Sequence, residues 1–300
     1  MSTSDQIIGA RLPRPDARRL AAGRGTFTDD LALPRMVHMA FVRSPYAHAL
    51  IKSIDTADAR QAEGVVRVIT AQDLADICTP FIAGIEFLPN MISPPQYPLT
   101  PVEVIYQGEA VCAILAESRA LAEDAAELVQ VEWDELPAVV DPDAALEPGT
   151  PLVHSELESN LAMAMPIVEG DTEKAFAEAA VVVEHEFEFG RQSGLALETR
   201  SVLADFEPAG RQLTVYQSHQ SPYQMQDVYA RHLGLEEHQV RVIAKDVGGA
   251  FGLKLHAYPD EMAAVAASVL LGRPVKYIAD RQESFFSDIH AREMKVAGKL

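Results

Sequence analysis

Three glycines within five positions, with an aromatic residue among them, single out Asp246-Val247-Gly248-Gly249-Ala250-Phe251-Gly252-Leu253-Lys254. Glycine gives up the most conformational freedom on folding, so such a cluster suits a backbone that must take positive φ or approach another group closely. By glycine count alone the stretch is a tight turn. The sharper reading is a loop whose bare N–H groups meet a ligand carrying oxygens or phosphate. A second candidate is Gln220, in Ser218-His219-Gln220-Ser221-Pro222, whose amide donates a hydrogen bond without adding a charge. A third is Glu198 with Arg200 in Leu197-Glu198-Thr199-Arg200. These two residues can be an acid and its guanidinium orienter, but they read more simply as an ion pair or as a hold on the adjacent loop.

Metal chemistry built on side chains has little support. The nine histidines are scattered without HExxH or paired metal spacing. The two cysteines, Cys78 and Cys112, form no CxxC and cannot build a four-thiolate cluster. Cys112 sits within AVCAILA and reads as a buried small hydrophobe. GGAFG is not GxGxxG, and no helix is expected to begin immediately after it, which weakens a dinucleotide reading.

The elements that must hold these residues are legible in part. The glycine loop follows an apolar, β-favouring run, Val240 to Ala244, and precedes a helix expected from Pro259 to Leu271 and closed by Gly272. Ser221 is expected to cap, and Pro222 to start, a helix ending at Gly234. Ser201–Phe206 and Gln212–Ser218 read as a β-hairpin. Earlier, Val37 to Val42, Ala49 to Ile54, Val65 to Ile69 and Ala110 to Ala116 read as strands, and Ser118 caps a helix before the alternating run Val129 to Trp133. Strand–helix–strand order with short links implies a mixed α/β fold. Val183, His185, Phe187 and Phe189 share one strand face, which makes His185 a packed core-face histidine. Thr79 to Pro101, rich in proline, reads as a long surface excursion. A Pro/Asp-rich connector, DPDAALEPGTP (141–151), places a domain boundary, so the expected division is a tail over 1–21, one domain over 22–145 and a second over 150–300. The tail is basic and is expected to be loosely held or to lie on a partner.

The 300 residues allow two sizeable cores, and 48% hydrophobic with 23% charged residues is ordinary globular composition. A net charge of −19 argues against nucleic-acid or anionic-membrane partners, since phosphate would be repelled. No apolar run approaches a membrane span, and the N-terminus shows no secretory h-region, so the cytoplasm is the expected compartment.

Taken together, GRGTFTDDLALPRMVHMAFVRSPYAHALI (23–51), QGEAVCAILAESRALAEDAAELVQVEWDELPAVVDP (107–142), LETR (197–200), the Ser218–Pro222 segment and DVGGAFGLK occur in family order. The chain resembles the molybdenum-cofactor-binding large subunit of the xanthine dehydrogenase/aldehyde oxidase/carbon monoxide dehydrogenase family, in its N-terminal portion. The resemblance implies an α/β hammerhead-like domain followed by the first part of a molybdopterin-binding domain. It implies oxidative hydroxylation of an aldehyde or N-heteroaromatic, with water as the oxygen source.

By the same resemblance, Gln220 lies beside the molybdenum centre, and the backbone of Gly248, Gly249, Ala250, Phe251 and Gly252 faces the cofactor, molybdopterin in a cytosine dinucleotide or similar form. His219 stands where the family commonly has threonine. Iron–sulfur clusters and FAD are expected on partner subunits, with a further molybdenum-subunit portion completing the site. The family's general-base glutamate would fall beyond Leu300, so no catalytic residue is assigned, and the chain alone is expected to be inactive and to hold no cofactor. Four residues after Phe251, where xanthine-oxidising members carry a purine-binding glutamate, stands Leu255. Leucine cannot pair with a purine N–H, so an aldehyde or apolar N-heteroaromatic is expected over xanthine. The alternatives are a non-catalytic or truncated subunit that binds partner chains and, more weakly, a nucleotide-binding module using GGAFG.

Overall fold

The computed structural model describes residues 8–82, 88 and 90–300. Parts of the expected tail and of the Thr79–Pro101 excursion lie outside the described residues. The described part of the tail ends in a short helix, α1 (Ala17–Ala21). After it come β1 (Val37–Arg43), β2 (Ala49–Asp55), α2 (Ala57–Gln61), β3 (Val65–Thr70) and α3 (Ala71–Leu74). Helix α3 opens on a capping box in which Thr70 and Asp73 satisfy each other's backbone N–H groups. Short strands β4 (Phe81–Ile82), β5 (Pro95–Gln96) and β6 (Glu103–Val104) lead to β7 (Ala110–Ala116), then α4 (Arg119–Ala126) and β8 (Gln130–Glu135). Ser118 caps α4 as expected, its hydroxyl accepting from Leu121 N.

Beyond the connector lie α5 (Thr172–Glu178), β9 (Glu184–Phe189), β10 (Ser201–Glu207), β11 (Gln212–Gln217), α6 (Pro222–His232) and β12 (Val240–Ile243). The chain then runs through α7 (Pro259–Leu271), β13 (Val275–Ile278), α8 (Arg281–Ser287) and β14 (Met294–Lys299).

A mixed seven-stranded sheet, in the order β12-β11-β10-β13-β1-β7-β3, takes strands from both sides of the connector. The join is the short parallel pairing of β1 with β13, Val37 opposite Val275. β7 explains why its sequence is apolar throughout. Its Ala113 and Leu115 belong to one core with α6, α7 and the C-terminal strands, while Val111, Cys112, Ile114 and Ala116 belong to a second core with α2 and α4. A strand buried on both faces reads as a continuous apolar run. The unit β7–α4–β8 is divided, however: β8 leaves the large sheet and pairs with β2 in a three-stranded sheet, β6-β2-β8.

Helix α7 is buried along most of its length, from Asp260 to Ser268, and ends on Gly272 at φ 58°. A helix apolar all round belongs in a core. No helix among the described residues is long and apolar enough to cross a membrane.

One expectation fails here. His185 is exposed, not packed in a core. Among the described residues β9 pairs only with β14, and both strands of this ribbon are exposed along their length. The alternating pattern predicted a buried face, but no described layer covers it.

Candidate functional site

The site follows from topology. β11 and β12 are parallel neighbours, with Tyr216 opposite Ile243, so their C-terminal ends open in the same direction. The Ser218–Ser221 segment leaves one end and the glycine loop leaves the other. The mouth above the carboxyl ends of parallel strands is where α/β proteins bind ligands.

Here the two candidate stretches are laced together. Gly252 N donates to Gln220 Oε1 at 2.9 Å, and Gln220 N donates to Lys254 O at 2.8 Å. At the other end of the loop, Gly248 N donates to Glu198 Oε2 at 2.7 Å, and Glu198 N donates back to Gly248 O at 3.1 Å. Between these anchors, the N–H groups of Gly249, Ala250 and Phe251 have no acceptor among the described residues.

Positive φ shapes the loop: 105° at Gly249, 51° at Phe251 and 87° at Gly252. A Cβ on Gly249 would also fall 2.9 Å from the Phe251 ring, and one on Gly248 would fall 2.5 Å from Glu198 Cβ. A left-handed conformation is costly for a bulky residue, so the backbone of Phe251 is held under strain by its neighbours. The residue is 74% exposed. A one-turn 3-10 helix, Leu253–Leu255, begins directly after Gly252, contrary to expectation, although the next α-helix waits until Pro259. Leu255 lies on that turn and is 41% exposed.

Ser221 does not supply a side-chain cap to α6. His219 does not cap the helix either, since its Nδ1 accepts from the N–H of Ser221 itself at 3.0 Å, before the first turn, while Nε2 faces His256 O at 3.3 Å. Burial lowers the His219 pKa, which favours the neutral ring with the proton on Nε2.

Beneath the loop lies a polar hub. Glu198 Oε2 accepts from Gly248 N, from Ser218 Oγ at 2.6 Å and from Lys254 Nζ at 3.1 Å, and Lys254 Nζ also donates to Ser218 Oγ at 2.8 Å. Lys254 is 1% exposed, and burial holds its ammonium below the usual lysine range, with Glu198 opposing. Glu198 therefore holds the adjacent loop and does not pair with Arg200. Arg200 instead bonds Asp260 through two nitrogens and Asp288 through Nε, all buried. At the loop's entrance, Arg19 of α1 makes two hydrogen bonds to Asp246, whose carboxyl also accepts from Thr26 N. The described part of the tail thus rests on this chain's own loop. Ser218 and Lys254 were not foreseen as partners, because a serine and a lysine beside glycines carry no signal of burial.

The exposed face of this site offers hydrogen-bond donors and apolar side chains. No carboxylate or thiol stands among Gln220 and Gly248–Gly252 to ligate a metal directly. Such a donor set fits a cofactor that brings its own metal ligands and presents oxygens to the protein, as molybdopterin does.

Fold and site together define a cofactor-binding α/β protein whose glycine loop sits at the carboxyl ends of parallel strands. Residues 22–137 match the aldehyde oxidase and xanthine dehydrogenase a/b hammerhead domain, and residues 153–300 match the molybdopterin cofactor-binding domain. The chain belongs to the xanthine dehydrogenase/aldehyde oxidase/carbon monoxide dehydrogenase family and corresponds to the N-terminal portion of its molybdenum-cofactor-binding large subunit.

Among its relatives, the carbon monoxide dehydrogenase large chain of Afipia carboxidovorans is 35% identical over 98% of this chain and 37% of that protein. The nicotine 6-hydroxylase large subunit of Paenarthrobacter nicotinovorans is 38% identical over 97% of this chain and 35% of that protein. The crystal structure of quinoline 2-oxidoreductase from Pseudomonas putida 86 superposes with a TM-score of 0.92 at 37% identity, covering 97% of this chain and 37% of that one. The chain thus spans little more than a third of the length of these relatives.

Proposed function

We propose that this chain contributes the cofactor-facing loop and a glutamine donor to a molybdenum hydroxylase-type oxidoreductase acting on an aldehyde or an N-heteroaromatic. The observation that carries the reading is the run of three uncommitted N–H groups, Gly249 to Phe251, beside an amide with one end already tied down. When bound, the molybdenum cofactor supplies the redox chemistry of the overall conversion, R–H + H2O to R–OH + 2 electrons + 2 protons. The protein contributes placement and electrostatics. Gly249, Ala250 and Phe251 donate backbone hydrogen bonds to the cofactor's oxygens. Gln220, whose Oε1 is occupied by Gly252 N, donates through Nε2 beside the metal. Phe251 and Leu255 present apolar surface that excludes water and leaves a purine unpaired. Iron–sulfur and FAD subunits take the electrons onward, and a further portion of the molybdenum subunit supplies the general base. The division into domains over 22–145 and 150–300 is kept as part of this proposal.

Relatives named for quinoline and nicotine support an N-heteroaromatic substrate. Replacing leucine by a hydrogen-bonding side chain changes discrimination strongly, whereas an apolar wall sorts by shape alone. The test is steady-state kinetics with an artificial acceptor on the assembly purified from its native host, comparing xanthine, benzaldehyde and quinoline. A higher kcat/KM for quinoline or benzaldehyde than for xanthine is expected. The reverse order against both would overturn the substrate reading.

A further inference from the structure

Three short segments meet under the glycine loop, and the polar hub is where they join. Lys254 participates twice: its carbonyl accepts from Gln220 N, and its ammonium reaches back to Ser218, two residues before that glutamine. Gln220 returns the contact by accepting from Gly252 N, two residues before Lys254. Glu198 then ties both segments to the start of the loop through Gly248. All three donors converge on Oε2, while Oε1 of the same carboxylate is buried without a partner. We infer that Glu198, Ser218 and Lys254 are positioning residues that aim the Gln220 amide and fix the spacing between it and the open N–H groups of the loop. This rests on the proposed function, because it presumes that Gln220 Nε2 faces the molybdenum cofactor.

A purely space-filling role would be met more cheaply by an apolar side chain. A buried ammonium is costly to desolvate and is compensated only by well-placed partners. What an ion pair with hydroxyl and backbone partners adds is direction, since each contact is fixed in distance and angle. The loop needs that direction because only a one-turn 3-10 helix, Leu253–Leu255, follows it and the strand before it ends at Ile243. Without the hub, the links that remain among the described residues between the glutamine segment and the loop are Gln220 N to Lys254 O and Gly252 N to Gln220 Oε1, with His219 reaching His256 O just beyond it.

The experiment uses the assembly purified from its native host with Gln220→Ala, Lys254→Met, Ser218→Ala and the Gln220→Ala/Lys254→Met double variant. Molybdenum content, the electron paramagnetic resonance spectrum of the molybdenum centre and kcat per molybdenum are read for each. Positioning predicts that Lys254→Met keeps most of its molybdenum, shifts the spectrum and slows kcat about tenfold, with KM less affected. It also predicts that the double variant is no slower than the worse single variant, because both changes remove the same aimed donor. Ser218→Ala should show the same pattern in milder form, and it decides the matter if Lys254→Met fails to assemble. Molybdenum loss with normal kcat and an unchanged spectrum in the remaining centres would mark a merely structural hub and overturn the inference. So would effects of the two single variants that multiply. If Gln220→Ala itself changes neither spectrum nor rate, it is the proposed function that fails.

Discussion

Which way the Gln220 amide points is decided by Gly252, because a backbone N–H can only donate and so faces the amide oxygen. The NH2 group is thereby directed elsewhere, free to serve a ligand. A second buried residue near this site is set by desolvation. Glu261, in the first turn of α7, is 1% exposed, and burial raises its pKa to about 8, with Arg200 opposing. Its Oε2 accepts from Gln217 Nε2 at 2.7 Å. The folded state therefore keeps this proton across a range where the unfolded chain has released it. Stability from Glu261 is complete below the ordinary value of 4.5 and is lost as pH rises through about 8. Glu261→Gln keeps an acceptor for Gln217 and removes the titration. Urea midpoints are expected to favour Glu261→Gln increasingly as pH rises from 4.5 to 8; parallel pH profiles for the two proteins would refute this. Gln220 and the five loop residues were singled out through the resemblance of their segments to a known family, since by glycine count alone the loop read as a tight turn. Glu261 was not, because a glutamate at a helix start also reads as an exposed dipole partner.

Among the elements, α7 is tied to the sheet by charge as well as by apolar packing. Arg200, just before β10, is fully buried between Asp260 of α7 and Asp288 beyond α8, and its guanidinium lies 3.8 Å from the Tyr258 ring centroid. Burial opposes ionisation of Asp260, but Arg200 and Arg43 hold its pKa well below the usual range. Arg200→Ala would leave two buried carboxylates short of their counter-charge. A loss of about 3–5 kcal/mol in denaturant unfolding is expected. A loss under about 1 kcal/mol would mean that Arg43 and solvent replace it. Arg200→Lys is expected to recover only part of the loss, because an ammonium cannot reproduce the planar fork that grips Asp260. The hairpin β10–β11, the helix α7 and the continuously apolar strand β7 were legible in the sequence, and α6 was placed by Pro222 at its start although Ser221 lends it no side-chain cap. The burial of β9 was misread, because alternation identifies a strand with two unlike faces but not what covers either of them. His185 stands as the instance.

At the scale of the whole molecule, the glycine loop sits at one end of a sheet that crosses the connector. Composition and the Pro/Asp-rich linker suggested where the chain divides, but not that β1 would pair with β13. Non-local pairing leaves no mark in a local pattern. The division of β7 and β8 between two sheets was hidden for the same reason, since their short link through α4 reads equally well as a single-sheet unit. What the assembled fold achieves is to bring Glu198, Gln220 and Gly248–Gly252, separated along the chain, to one mouth. The central claim is that this mouth holds molybdopterin through close backbone approach. It is tested most directly by molybdenum and pterin content of the assembly carrying Gly249→Val, beside wild type and a Gly190→Ala control whose added Cβ meets nothing within 4 Å. A branched side chain at φ 105° both strains the loop and closes the approach. The expected result is loss of nearly all molybdenum and pterin from Gly249→Val, with subunit composition and circular dichroism unchanged and the control fully loaded. Full molybdenum and pterin content in Gly249→Val would contradict the account.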